Sequence, residues 1–215
     1  MAEGLTLKDV AIAKDGAPLV AIDRHIAPGE TLTLMGPSGV GKSTLLAFVT
    51  GTLPPAFTAT GRVLLDGEDV TDAAPHRRRI GILFQDDLLF PHMSVGQNLA
   101  FGLAPGGSRA ERRARIDAAL EDVDLAGYAD RDPATLSGGQ KARVALMRML
   151  LSEPLALLLD EPFSRLDAAL RDQVRGLVFA RAARLRLPVL MVTHDAEDAA
   201  AAGGETVTLA APARG

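Results

Sequence analysis

The 215-residue sequence has no cysteine, no tryptophan and a single tyrosine, Tyr128. The lack of cysteine excludes disulfides, thiolate metal sites and cysteine nucleophiles. Because single-stranded bases stack on aromatic side chains, the scarcity of these side chains argues against that kind of nucleic-acid binding. No apolar run reaches the roughly 18 to 20 uncharged residues that a membrane span requires. The N-terminus, "MAEGLTLKDV", lacks the basic stretch of a signal peptide, so a cytosolic globular protein is expected.

Acidic residues slightly outnumber basic ones, and two short basic runs stand against that average. The net charge is −4 at pH 7, which provides no broad basic surface for a nucleic acid. The basic runs are "HRRR" at residues 76–79 and "RAERRAR" at residues 109–115. Acids and alanines are interspersed in the second run, which favours a solvated helix face over a nucleic-acid contact. No nucleic-acid partner is therefore expected.

Four short apolar runs end directly in polar residues. "TLTLM" ends at Gly36, "GILF" at Gln85, "LALLL" at Asp160 and "PVLMVT" at His194. Continuous apolar strands separated by helical patterns are typical of a parallel sheet that is covered on both faces. Ligands of such α/β sheets bind outside the carboxyl ends of the strands. The four strand ends are therefore predicted to converge on one ligand.

The remaining sequence predicts two additions to this sheet. "RVLLDGEDVT" alternates about Asp66 and Gly67, which indicates a hairpin in an antiparallel lobe with early segments such as "LTLKDVAIA". Helical patterns fill the chain from about residue 95 to residue 151. The prediction is an α/β fold with one domain over residues 1–215, in which a helical lobe over approximately residues 88–152 is inserted in the core that contains the parallel sheet.

The sequence "GPSGVGKST" at residues 36–44 follows a strand and opens a helix, which is the context of a P-loop. Its glycines let backbone N–H groups approach phosphate oxygens, and the helix N-terminus attracts the anion. Lys42 is expected to neutralise the β- and γ-phosphates, and Ser43 to ligate Mg²⁺. The alternative is an ordinary glycine-rich turn. The residues predicted to surround the nucleotide phosphates are Gly36, Pro37, Ser38, Gly39, Gly41, Lys42, Ser43 and Thr44.

Two adjacent carboxylates follow the apolar strand "LALLL". Asp160 is predicted to hold Mg²⁺ beside the phosphates, and Glu161 to act as the general base toward an attacking water. The alternative is that both carboxylates cap a helix after Pro162. Two acids side by side at a buried strand end repel one another unless a cation or a proton is present, which favours the metal.

A second glycine pair occurs in "LSGGQ" at residues 136–140. Ser137 is a good N-cap, and Gly138 and Gly139 leave the backbone donors of the following helix uncovered. The chain has no second lysine and carboxylate set to accompany this anion site. The prediction is a head-to-tail dimer in which each chain completes its partner's site, with residues Ser137, Gly138, Gly139 and Gln140 contacting the partner's nucleotide.

The motifs "GPSGVGKST", "LSGGQ" and "LALLLDE" occur in this order along the chain. With them the sequence resembles, over nearly its whole length, the ATP-binding cassette family, the ATPase subunits of ABC transporters. The resemblance implies ATP and Mg²⁺ as cofactors. It implies that Gln85 helps to hold Mg²⁺ and the attacking water. It also implies that Asp167, in "SRLD", bridges the dimer interface. His194 would contact the γ-phosphate. The family usually has an aromatic residue near the chain start that stacks on adenine, whereas this chain has Ala13 or Lys14 there.

The segment "RIGILFQDDLLFPHMSVGQNLAFGL" resembles bacterial import cassettes, and the short length resembles the compact thiamine and ferric iron branch. This resemblance implies a membrane permease as partner, a solute-binding protein as an indirect partner, and a peripheral position on the cytoplasmic face of the cell membrane. Apolar residues after Gln85 are expected either to pack the helical lobe or to line a groove for a permease helix. The alternatives are an export or lipoprotein-release cassette and, from another class, a nucleic-acid-associated cassette.

Overall fold

The computed structural model describes residues 3–209, which form two compact units. The first unit comprises residues 3–82, 155–161 and 179–209, and the second comprises residues 83–154 and 162–178. None of the helices within residues 3–209 is long and apolar enough to cross a membrane.

A parallel sheet of five strands forms the centre of the first unit. Its strands along the chain are β3 (Thr31–Met35), β6 (Ile80–Leu83), β7 (Ala156–Asp160), β8 (Val189–Thr193) and β9 (Glu205–Thr208), arranged in the order β6-β7-β8-β3-β9. Leu158 and Leu190 are fully buried on neighbouring strands, as continuous apolar strands in a covered sheet must be. The prediction of a parallel sheet is confirmed. The edge strand β9, with the polar sequence "ETVT", was not predicted.

An antiparallel sheet accompanies the parallel one in the first unit. Its strands are β1 (Leu5–Lys14), β2 (Ala17–Ile26), β4 (Phe57–Leu65) and β5 (Glu68–Asp69), in the order β2-β1-β4-β5. Asp66 and Gly67 join β4 to β5, and both have a positive φ, of 50° and 82°. Two consecutive positive φ values are characteristic of the type I′ turn that suits a two-residue hairpin. The predicted hairpin and its pairing with β1 are confirmed.

The helices of the first unit are α1 (Lys42–Thr50) and α6 (Ala196–Ala202), and those of the second are α2 (Val95–Gly102), α3 (Arg109–Glu121) and α4 (Gly138–Leu150). The long helix α5 (Ala168–Arg184) begins in the second unit and ends in the first. The helices α2, α3 and α4 each begin with a serine capping box, at Ser94, Ser108 and Ser137. Their apolar faces form a separate core that includes Leu99, Leu120 and Val144.

Two arginines of the basic runs, Arg78 and Arg113, contact other residues of the protein. Arg78 is only 5% exposed and donates hydrogen bonds to backbone carbonyls at the end of α1 and in the segment after β5, those of Phe48, Val49, Ala73 and Thr71. Gly51 is required there, since its φ is 78° and a Cβ would lie 2.6 Å from Arg78 Nε. In α3, Arg113 pairs with Asp117 and Asp130. These contacts give the arginines structural roles.

Replacing Arg78 by methionine is expected to lower the free energy of unfolding by about 3 kcal/mol, because several buried carbonyls lose their donors at once. The measurement is denaturant unfolding of the full chain. Arg77→Met is the matched control, since Arg77 is exposed on the neighbouring position. Equal midpoints for the two variants would show that the Arg78 hydrogen bonds do not stabilise the fold.

Candidate functional site

The glycine-rich loop of residues 36–41 connects the end of β3 to the start of α1. Gly36 and Gly41 have φ values of 155° and 98°, and a Cβ on either would lie within 3 Å of a neighbouring atom. The atom nearest to a Cβ at Gly41 would be Cγ of Leu19 on β2, at a distance of 2.8 Å. Gly39 has open space beside it. The loop therefore needs glycine at 36 and 41 for both conformation and packing, which the sequence pattern alone did not distinguish.

Lys42 is the first residue of α1, directly after this loop, and is 7% exposed. Its Nζ donates to the carbonyls of Gly36 at 2.6 Å and Pro37 at 3.1 Å. A lysine held at the first turn of a helix, beside a loop of exposed backbone, is suited to a phosphate group. The predicted role of Lys42 fits this position.

Ser43 and Asp160 face one another at the ends of their elements. The Ser43 hydroxyl donates to Asp160 Oδ1 at 3.2 Å, across 117 residues of sequence. Burial raises the pKa of Asp160, and the neighbouring Glu161 raises it further, whereas the Ser43 hydrogen bond and Lys42 lower it. A half-buried carboxylate beside a second acid and a hydroxyl is favourable for a hard cation. The structure brings together the two predicted metal ligands of this unit.

Glu161 follows β7 in a left-handed conformation, with φ of 46°. Its amide donates to the carbonyl of Val192 on β8 at 3.0 Å, which fixes the backbone. Its Oε1 lies 3.2 Å from His194 Nδ1. The glutamate and the histidine at the ends of two neighbouring strands are thus in contact. The alternative helix-cap role of Asp160 and Glu161 is wrong, because the next helix begins at Ala168.

At the start of α4, Gly138 and Gly139, for which one shared role is predicted, have different surroundings. The side chains of Ser137 and Gln140 serve the capping box, in which Gln140 N donates to Ser137 Oγ and Ser137 N to Gln140 Oε1. A Cβ at Gly139 would lie 2.2 Å from Leu170 Cδ1, so Gly139 is required by packing. A Cβ at Gly138 would meet nothing within 4 Å. Gly138 is therefore available to an outside ligand at a helix N-terminus.

Gln85 and Asp167, two further predicted site residues, lie in the second unit. Gln85 is exposed just after β6. The Asp167 carboxylate accepts from the amide of Leu170 at 3.0 Å and so caps the start of α5. Arg165 pairs with Asp86, the residue after Gln85. The capping role of Asp167 was not predicted. Its predicted role at a dimer interface stays a prediction.

The structure shows an aromatic ring near the end of the first hairpin. Lys14 pairs with Phe57 across β1 and β4, and Lys14 Nζ lies 5.9 Å from the centre of the Phe57 ring. Ala13 pairs with Thr58. Neither Ala13 nor Lys14 can itself provide a ring for a base. The Phe57 ring belongs to another strand, and no motif in the sequence indicated it.

Residues 86–93, which we call the linking segment, follow Gln85 and border a groove in the second unit. The groove has a volume of about 350 Å³. Its lining residues are Asp86, Asp87, Leu88, Leu89 and Pro91 of the linking segment, together with Pro133, Ala134 and Lys141. Leu88 is 55% exposed, whereas Leu89 packs on the helical core. The Phe90 ring stacks edge-on against Phe101 at 4.8 Å. Leu88 and Leu89 both line the groove, and Leu89 also packs on the helical core. The contact with a permease helix stays a prediction.

Comparison with known proteins gives consistent matches. A family model described as ABC transporter matches residues 19–164. The chain is 48% identical over 195 residues to the uncharacterized ABC transporter ATP-binding protein YnjD of Escherichia coli (strain K12), covering 90% of each protein. It is 41% identical to the thiamine import ATP-binding protein ThiQ of Yersinia pseudotuberculosis serotype I (strain IP32953), covering 95% of this chain and 86% of the relative.

A further relative is longer than this chain. The Fe(3+) ions import ATP-binding protein FbpC of Pasteurella multocida (strain Pm70) is 44% identical over 207 residues, which are 95% of this chain and 58% of the relative. The chain thus spans less than two thirds of this relative.

Proposed function

The chain belongs to the ABC transporter family, and from that premise we propose that it is the ATP-hydrolysing subunit of an import system, placed on the cytoplasmic face of the cell membrane beside a separate permease. The observation that carries the ATPase role is the contact of Ser43 with Asp160, next to the contact of Glu161 with His194, at the strand ends beside the P-loop. The import role is supported by relatives named for thiamine and Fe(3+) import. A solute-binding protein would be an indirect partner.

Lys42 and the N-terminus of α1 would bind the β- and γ-phosphates of ATP. Glu161 would accept the proton of the attacking water, since its backbone amide is held to β8 and its carboxylate contacts His194. The histidine, at 62% side-chain exposure, can reach outward from that contact to a γ-phosphate. The roles of Gln85 and Asp167 would be those implied by the family resemblance.

Ser43 and Asp160 would hold Mg²⁺. Their oxygens are of the type that Mg²⁺ prefers, and Mg²⁺ commonly takes one or two protein oxygens together with phosphate oxygens and waters. This fits the finding that no group of three or more His, Cys, Asp or Glu side chains within residues 3–209 could hold a metal ion by itself. When bound, the ion would neutralise charge on the phosphates.

A second copy of the chain would complete each site. Gly138 begins α4 with open space beside it, so the helix can offer its N-terminal donors to an anion of another molecule. The natural arrangement is a two-fold head-to-tail dimer in which ATP lies between the P-loop of one chain and Gly138 of its partner.

The groove beside the linking segment would receive a short cytoplasmic helix of the permease. Exposed Leu88 and the prolines Pro91 and Pro133 line it, together with the charged residues Asp86 and Lys141. A groove lined by apolar and charged side chains fits an amphipathic helix that inserts apolar anchors. Leu88 is the cleaner probe of this contact, because Leu89 also packs on the helical core.

Leu88→Asp is expected to reduce co-purification with the permease and solute uptake by about tenfold or more, because a charge would have to be buried on docking. The variant should stay folded, since Leu88 has φ of 47° and aspartate tolerates that conformation better than leucine. Leu185→Asp is the matched control, because Leu185 is 48% exposed in the other unit. Normal uptake by Leu88→Asp would place permease docking elsewhere.

A further inference from the structure

Arg148, near the C-terminal end of α4, holds two consecutive carbonyls of the linking segment. Its Nη2 donates to the carbonyl of Asp87 at 3.1 Å and its Nη1 to that of Leu88 at 2.9 Å. The same guanidinium lies 5.3 Å from the centre of the Phe90 ring. A planar guanidinium can make all these contacts at once, whereas an ammonium cannot. The linking segment is therefore attached to α4 through one side chain.

Asn98 of α2 holds the other end of the linking segment. It is fully buried, and its Oδ1 accepts from the amide of Phe90 at 2.8 Å. Its Nδ2 donates to the carbonyls of Phe90 at 3.1 Å and Met93 at 3.2 Å. A buried amide whose donors and acceptor are all used fixes one backbone arrangement, because any other leaves polar groups unpaired.

The helices α2 and α4, which carry Asn98 and Arg148, are in close contact near Arg148. A Cβ at Gly102, the last residue of α2, would lie 1.9 Å from the carbonyl oxygen of Arg148. The backbone of α4 is therefore fixed against α2 where Arg148 reaches the linking segment. Ten residues separate Arg148 from Gly138, so the other end of this rigid helix is about 15 Å away.

We propose that Arg148 is a positioning residue that makes the linking segment and α4 move together, so that a permease helix seated in the groove displaces Gly138 at the far end of the same helix. This inference rests on the proposed function, in which the groove receives the permease and Gly138 faces the partner's nucleotide. Its physical basis is that a charge-assisted, half-buried contact resists separation of the segment from the helix. The segment transmits displacement only while that contact holds.

The test uses Arg148→Lys and Arg148→Met in the full chain. Hydrogen exchange should become about tenfold faster at the amides of Phe90 and Met93, which are hydrogen-bonded in the linking segment. ATP hydrolysis by the isolated chain should stay near the wild-type rate, because Arg148 lies outside the nucleotide site. In the complex with the permease, stimulation of hydrolysis by transport substrate should fall by about tenfold for both variants.

Arg143→Lys is the matched control. Arg143 lies on the same helix and donates to the carbonyl of Val123 at 3.1 Å and to Gln173 at 3.2 Å, away from the linking segment. It should alter neither measurement. If Arg148→Met does not fold, both measurements are made on Arg148→Lys alone, since that variant keeps the positive charge.

Two results would overturn the proposal. Wild-type exchange in Arg148→Lys would show that the arginine does not hold the segment. Faster exchange with full stimulation would show that the contact does not transmit movement. Failure of the proposed function is distinguishable, because it would appear as normal uptake in Leu88→Asp, whatever the exchange rates of the Arg148 variants.

Discussion

Glu161→Gln is expected to lower the rate of ATP hydrolysis by about 10²- to 10⁴-fold while ATP still binds. Glutamine keeps the length and the reach toward His194 but lacks the basic carboxylate that would take the proton from water. The phosphate contacts proposed for Lys42 would be unchanged in this variant, so nucleotide affinity should be preserved. Steady-state phosphate release and equilibrium ATP binding are the two measurements.

Two further variants complete this test. Glu197→Gln is the control, because Glu197 is an exposed acid in the same unit, just after His194. It should hydrolyse ATP at the wild-type rate. Lys42→Ala should instead lose affinity for the nucleotide itself. Turnover by Glu161→Gln within a few-fold of the wild type would remove Glu161 from the role of general base.

Gly138→Asp is expected to abolish hydrolysis without destabilising the fold. A side chain at this position meets no atom of its own chain, and an acid in the first turn of a helix is favourable to the helix. The carboxylate would instead repel the γ-phosphate of the partner's ATP, with a loss of about 10²-fold or more. Gly139→Ala is the contrasting variant, because its added Cβ would clash with Leu170 and should lower the free energy of unfolding.

Mixing inactive chains tests whether Gly138 acts on the partner. In a head-to-tail dimer, a Lys42→Ala chain paired with a Gly138→Asp chain has one site with both residues intact. If sites act independently, an equal mixture should recover up to about a quarter of the wild-type rate, since half of the dimers are mixed and each has one intact site. No recovery at any protein concentration would contradict the shared site. Each variant alone is the control.

The sequence predicted the elements that depend on short-range pattern. The apolar runs that end at Gly36, Asp160 and His194 became strands of one parallel sheet, because runs of buried side chains permit few other structures. The strand β9 was missed, because "ETVT" lies at the sheet edge and has little apolar character. The hairpin at Asp66 and Gly67 was found because its turn type requires those residues.

Within the candidate site, residue types were predictable and contacts were not. The motifs indicated Ser43, Asp160 and Glu161, and the contact of Glu161 with His194 adds a pair that no spacing reveals. The exposure of Leu88 and the partial burial of Leu89 depend on how α2 and α4 pack beside the linking segment. A pattern of apolar residues does not state which neighbours cover each of them.

The sequence by itself determined the P-loop, the paired carboxylates and the second glycine-rich helix start, because each of these is a local backbone geometry that particular residues at fixed spacing make possible. Only the tertiary structure decided that Gly139 is required by packing while Gly138 is open to a ligand, and that Arg78 and Arg148 serve backbone carbonyls instead of a basic surface. These contacts join residues about 30 to 60 positions apart, and packing of whole elements, not spacing along the chain, brings such residues together.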